Sequence, residues 1–142
     1  MIEIAGVSRA FAKNGRSVVA LQDIDLSVRE GEFVALLGPS GCGKSTLLNM
    51  VAGFDHPGAG SVKVAGETVR EPSPQRGVVF QEPALFPWFS VTENVVFGPK
   101  TRGDKPADYR PRAAQILEQV GLRGFEDAYP ADTAVYDFVG VA

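Results

Sequence analysis

Residues 38–46 read GPSGCGKST: a glycine, four further positions, a second glycine, and then Lys44 and Ser45. The spacing GxxxxGK(S/T) is what a backbone needs to hold a chain of phosphates. The glycines Gly38, Gly41 and Gly43 let the loop through Pro39, Ser40 and Cys42 wrap with its N–H groups turned inward. That makes a concave anion site at the positive end of the helix that follows. Lys44 brings a mobile ammonium to the terminal phosphates, and the Ser45 hydroxyl is a hard oxygen suited to Mg²⁺ between them. Thr46 supports the phosphate nearest the nucleoside. Cys42 reads as a small residue that a tight loop accommodates, although a thiol this close to a helix N-terminus is also made more reactive. The plainer alternative for the whole run is a glycine-rich turn between strand and helix. The loop alone does not choose among the kinases, GTPases and motor ATPases that use such a site.

The flanking residues supply the elements the loop needs. Phe33–Leu37, FVALL, is apolar at every position and predicts a short strand covered on both faces of a parallel sheet. After the loop, Leu47, Leu48, Val51 and Ala52 fall at helical spacing from Lys44, and Gly53 is a C-terminal stop. Before it, Ile2 and Ile4 flank Glu3, and Ile24, Leu26 and Val28 alternate with polar residues. This is the period of half-buried, antiparallel strands, with Asn14-Gly15 as a tight turn between them. Val62 and Val64 predict another half-exposed strand turning at Gly66 towards Val69. Val78–Phe80 is a second candidate buried strand. Ala113, Ile116, Leu117 and Val120 describe an amphipathic helix opening near Pro111 and closing at Gly121.

Composition bounds the function. The chain has 142 residues, 44% of them hydrophobic and 22% charged, which suits one folded domain. Fourteen basic against seventeen acidic side chains give a net charge of −3, which argues against a nucleic-acid partner. The apolar runs fall far short of the roughly 20 residues that span a bilayer, and the opening MIEIAGVSRA has no secretory pattern. The single cysteine fits a reducing compartment. Lys100–Arg112 carries five basic residues diluted by Asp104 and Asp108, either a solvated surface or a partner contact. His56 has no second ligand nearby and reads as surface.

Two longer runs carry a resemblance. LQDIDLSVREGEFVALLGPSGCGKSTLLNMVAGFDHPGAGSVKVAGETV and RGVVFQEPALFPWFSVTENVVFG are similar to the ATP-binding subunit of an ABC transporter. PSPQRGVVFQEPALFPW most resembles importers of the nitrate, sulfonate and taurine group. The resemblance covers about residues 1–130, the N-terminal part of such a domain, and leaves 131–142 as a divergent tail. It implies an α/β fold of the P-loop NTPase type, with an N-terminal antiparallel β layer, a mixed, mainly parallel core sheet and a helical insert after Gln81. It implies ATP as ligand with Mg²⁺, held by residues 38–46, with Ser45 and Gln81 at the metal. Lys44 and Gln81 would serve the reaction at the γ-phosphate. Phe11 matches an aromatic that stacks on adenine; a core phenylalanine on an antiparallel strand would look the same.

The apolar loop Leu85–Phe89 would dock on a membrane-spanning permease through Phe86 and Trp88, unless those rings fold back into their own core. The other implied partners are a second ATPase subunit and, indirectly, a substrate-binding protein. The chain would then sit peripherally on the cytoplasmic face of the membrane.

The family pattern also calls for an LSGGQ-type signature, a strand ending in Asp-Glu and a switch histidine, and none follows Tyr129-Pro130. The expectation is a truncated, frame-shifted or partial chain that binds nucleotide without turning it over alone. Val135-Tyr136-Asp137 places an acid after apolar residues, but Phe138 stands where glutamate is needed. Two other readings remain at this point: a nucleotide-binding module without turnover, and a small P-loop kinase with Asp137 at its magnesium and Arg102, Arg110 and Arg112 as a lid.

Overall fold

The computed structural model describes residues 1–13, 15–81 and 84–131. They fall into two compact units, divided between Val78 and Val79.

In the first unit, β1 (Ile2–Lys13) and β2 (Arg16–Val28) form the antiparallel hairpin that the alternation predicts. Lys13 pairs with Arg16, which confines the connection to residues 14–15; Asn14 itself lies outside the described residues. β3 (Ala59–Val64) pairs with the other edge of β1, and β4 (Glu67–Thr68) with β3, so the order is β2-β1-β3-β4. Helix α1 (Lys44–Ala52) lays Leu47 and Met50 into a buried cluster with Ile4, Val7, Leu21, Val62 and Val69. Each such side chain contributes about 1.5–3 kcal/mol by leaving water. Ile4 and Val7 are three apart, an interval that a regular strand does not bring to one face. The β1–β2 register slips between them, and this bulge restores the alternation. Side chains take over where the ladder breaks: Gly6 N–H donates to Asp25 Oδ1 at 2.8 Å and Asp23 N–H to Ser8 Oγ at 2.9 Å.

Two segments differ from the strands their composition predicts. Neither Phe33–Leu37 nor Val78–Phe80 belongs to a sheet; Phe33 is 94% exposed, Leu37 91% and Val79 86%. A strand apolar at every position is stable only when neighbours pair both edges and helices cover both faces. The antiparallel layer offers neither. Only Leu36 packs against the core cluster, beside an apolar hollow of about 310 Å³ bounded by β1, β2 and α1. The antiparallel layer of the expected architecture is therefore formed, and the parallel core sheet is not formed among the described residues. Within α1, Leu48 faces out and Met50 takes its place in the core, while Gly53 ends the helix at φ +91° as predicted.

The second unit is helical, as the insert after Gln81 implies. α2 (Val91–Arg102) packs on α3 (Pro106–Gln119), with Val91, Leu117 and Leu122 buried against Phe125 and Ala128. α3 starts at Pro106, not near Pro111. Proline at a first helical position gives up an amide the helix cannot use, whereas Pro111 lies inside the helix. Ala113 and Leu117 are buried as expected, but Ile116 and Val120 are exposed.

The N-terminus of α2 is closed by a reciprocal cap. Glu93 N–H donates to Ser90 Oγ at 3.2 Å and Ser90 N–H to Glu93 Oε2 at 2.9 Å. Val91 and Thr92 N–H donate to the carbonyls of Ala128 and Glu126 at 2.9 and 3.0 Å.

Candidate nucleotide site

The loop at 38–46 opens directly into α1. Gly43 precedes the helix at φ +93°, and a Cβ there would stand 2.5 Å from Ala20 O and 2.8 Å from Leu21 Cδ2. Only glycine combines that dihedral with such close seating on β2. The first intrahelical bond runs from Leu47 N–H to Gly43 O at 2.9 Å. The amides of Lys44, Ser45 and Thr46 come before it and have no helical carbonyl to use. No side chain caps this end and no acid occupies its first turn. Free donors and the positive end of the helix dipole thus coincide in the loop.

Lys44 Nζ donates to Gly38 O at 2.8 Å, to Pro39 O at 2.7 Å and to Cys42 Sγ at 3.4 Å. These contacts fold the ammonium back over the loop, where an anion can recruit it in exchange for neutral carbonyls. Ser45 is exposed, with its hydroxyl in the first turn of α1. Among the described residues no group of three or more His, Cys, Asp or Glu side chains could hold a metal ion. The Ser45 hydroxyl is a hard oxygen of the kind a magnesium ion takes beside phosphate oxygens.

Phe11 lies on β1 in the same unit, 40% exposed, opposite Val18 of β2. It stands at the surface and is not part of the buried cluster of this unit. Gln81 is exposed and belongs to the second unit. Trp88 is 66% exposed, whereas Phe86 is half-buried with its ring 4.6 Å from Phe97 and 5.3 Å from Phe89. So the two expected anchors divide: Trp88 presents its ring, and Phe86 is chiefly its support. His56 is on the surface, and the segment 100–112 is exposed except for Tyr109. Asp137 and the rest of 132–142 lie outside the described residues.

The structure adds two sets of residues to those the sequence singles out. Asn94 Nδ2 donates to the carbonyls of Phe86, Phe89 and Ser90 at 3.2, 3.1 and 3.0 Å, and its Oδ1 accepts Phe86 N–H at 2.8 Å. One side chain thereby holds the aromatic turn to α2. The capping signature Ser90-Val-Thr-Glu93 was the available signal. Arg9 pairs with Asp55 at 2.7 Å, a contact between residues 46 apart for which the sequence carries no signal.

A family model described as ABC transporter matches residues 21–136. The chain belongs to the ABC transporter family. This member is 45% identical over 140 residues to the taurine import ATP-binding protein TauB of Jannaschia sp. (strain CCS1), covering 98% of this chain and 50% of that one. It is 44% identical over 131 residues to the nitrate import ATP-binding protein NrtD of Synechocystis sp. (strain ATCC 27184 / PCC 6803 / Kazusa), covering 92% and 49%. The chain thus spans about half the length of these curated relatives. Among solved structures it superimposes on the ATP-binding cassette MJ0796, a dimer in a post-hydrolysis state bound to ADP and Pi. The TM-score is 0.84 with 26% identity, over 99% of this chain and 67% of that one. No helix among the described residues is long and apolar enough to cross a membrane.

Proposed function

We propose that this ABC family chain binds ATP with Mg²⁺ at residues 38–46 and, within a complete subunit, uses ATP hydrolysis to drive import of taurine, another sulfonate or nitrate. The observation that carries the reading is the uncapped, acid-free N-terminus of α1, opening from GPSGCGKST with Lys44 folded over the loop. The loop amides and the first turn of α1 receive the β- and γ-phosphates. Lys44 leaves the carbonyls of Gly38 and Pro39 to meet them, Thr46 steadies the α-phosphate, and Phe11 offers its ring to the adenine. Ser45 would supply a hydroxyl oxygen to the metal. Magnesium, when bound, neutralises charge that develops between the β- and γ-phosphates.

The import role and its substrates rest on the names of the relatives, which are taurine and nitrate import proteins. A membrane-spanning permease engaged through the Trp88 turn, a second ATPase subunit and a substrate-binding protein complete the assembly. Its place is the cytoplasmic face of the membrane.

The test is equilibrium binding of a fluorescent ATP analogue beside steady-state ATPase activity, with Lys44→Ala as control. Binding that falls at least about tenfold on loss of the ammonium is expected, in line with the strength of a charge-assisted bond to phosphate. Binding indifferent to Lys44 would remove the loop from the mechanism.

A further inference from the structure

Arg9 and Phe11 lie two apart on β1, on one face of the strand. The guanidinium carbon of Arg9 stands 4.9 Å from the centre of the Phe11 ring, a cation–π contact. At its other end the same guanidinium donates to Asp55 Oδ1 at 2.7 Å, with both side chains about three-quarters buried, 28% and 24% exposed. Among the described residues the Arg9 Nε–H is buried without a hydrogen-bond partner, and the guanidinium is held there by the carboxylate and the ring.

Asp55 is itself fixed. Its Oδ1 also accepts His56 N–H at 2.7 Å, and its own N–H reaches Asn49 O of α1 at 3.3 Å. Asp55 stands just beyond the C-terminal cap of α1, the helix whose N-terminus carries the phosphate loop. The chain of contacts Asn49–Asp55–Arg9–Phe11 joins that helix to the exposed ring.

We propose that Arg9, anchored by Asp55, is a positioning residue for base recognition. It backs one face of Phe11 and fixes the ring relative to α1, so that base and phosphates of one nucleotide are received in register. The inference rests on the proposed function, in which Phe11 stacks on adenine. A cation over one face also withdraws electron density from the ring, which suits it to stack on an electron-rich purine on the other. The chemistry selects a planar base attached to a phosphate chain, and it has no part in holding phosphate by itself.

The test is displacement of a fluorescent ATP analogue from the 142-residue chain by ATP and, separately, by inorganic tripolyphosphate. Arg9→Ala is expected to weaken ATP by about three- to tenfold, the range of a partly desolvated cation–π contact, and to leave tripolyphosphate within about twofold. Asp55→Asn, which keeps the shape but frees the guanidinium, should give a smaller loss of the same kind, and Arg9→Lys should restore part of the ATP preference.

Equal losses for ATP and tripolyphosphate would make the contact merely structural and overturn the proposal, as would no loss at all. Phe11→Ala separates the premise from the inference. If it erases the preference for ATP over tripolyphosphate while Arg9→Ala does not, stacking stands and the role of Arg9 falls. If Phe11→Ala also changes nothing, the stacking reading falls and takes this proposal with it.

Discussion

Helix α1 begins at Gly43 with no side chain bonded to its first amides and no acid in its first turn, whereas α2 begins at Ser90 inside a reciprocal Ser90–Glu93 cap. Both ends present the same unpaired donors and the same partial positive charge. In α2 the chain consumes them: Ser90 Oγ takes one amide, the carbonyls of Glu126 and Ala128 take two more, and Glu93 adds a carboxylate. In α1 the cap position is a glycine that cannot contribute a side chain. The difference separates a helix end built for stability from one left open for an anion. In the proposed function, anion affinity comes from what the sequence withholds as much as from what it supplies.

The comparison breaks most severely at Gly43. Gly43→Ala forces a Cβ towards Ala20 O and Leu21 Cδ2 at a positive φ. A loss of about 2 kcal/mol or more in unfolding free energy is expected from the dihedral and the crowding together. ATP binding should vanish with it. Chemical denaturation and nucleotide titration of the same variant check both.

A milder variant makes α1 imitate α2. Thr46 holds the third helical position, where α2 has Glu93. Thr46→Glu should stabilise the helix by about 0.3–1 kcal/mol through its dipole. It should also weaken ATP by on the order of tenfold, because the new carboxylate stands where phosphate charge must come. Opposite signs in the two measurements are the result to look for. Weakened binding without added stability would mean that Thr46 acts only as a ligand group. The converse variant, Ser90→Ala, opens the closed end. Its expected cost is about 1 kcal/mol of stability with ATP affinity unchanged, and a nucleotide effect would show that the α2 cap serves more than folding.

The open end was legible in the sequence because its pattern is short and contiguous: nine residues name the loop, and the helical spacing after Lys44 with Gly53 as stop gives the helix. The hairpin and β3 were equally plain from alternation. The closed end was not, although Ser90-Val-Thr-Glu93 spells a capping box. The apolar residues Val91, Val95, Val96 and Phe97 do not recur at one helical spacing, and Pro99 interrupts them. Phe33–Leu37 and Val78–Phe80 misled for a different reason. Their composition reports the burial they are suited to, while pairing depends on neighbours that these described residues do not provide. Arg9 and Asp55 were invisible because a contact across 46 positions leaves no local trace.

The smallest effect refines the closed end. Glu126, whose carbonyl receives Thr92 N–H, has its side-chain carboxyl held below the usual carboxylate range, first by its own N–H and then by that of Gly124. The Arg123 charge helps and desolvation opposes. A carboxyl whose pKa is lower in the folded than in the unfolded state stabilises the fold above the unfolded value. That contribution fades as pH falls through the folded one. Glu126→Gln should therefore lower stability slightly at neutral pH and flatten the acid limb of the stability profile, without touching ATP affinity. An acid limb as steep as that of the parent chain would show that the carboxylate adds nothing to the turn that closes α2, leaving its backbone carbonyl as the whole of Glu126's part there.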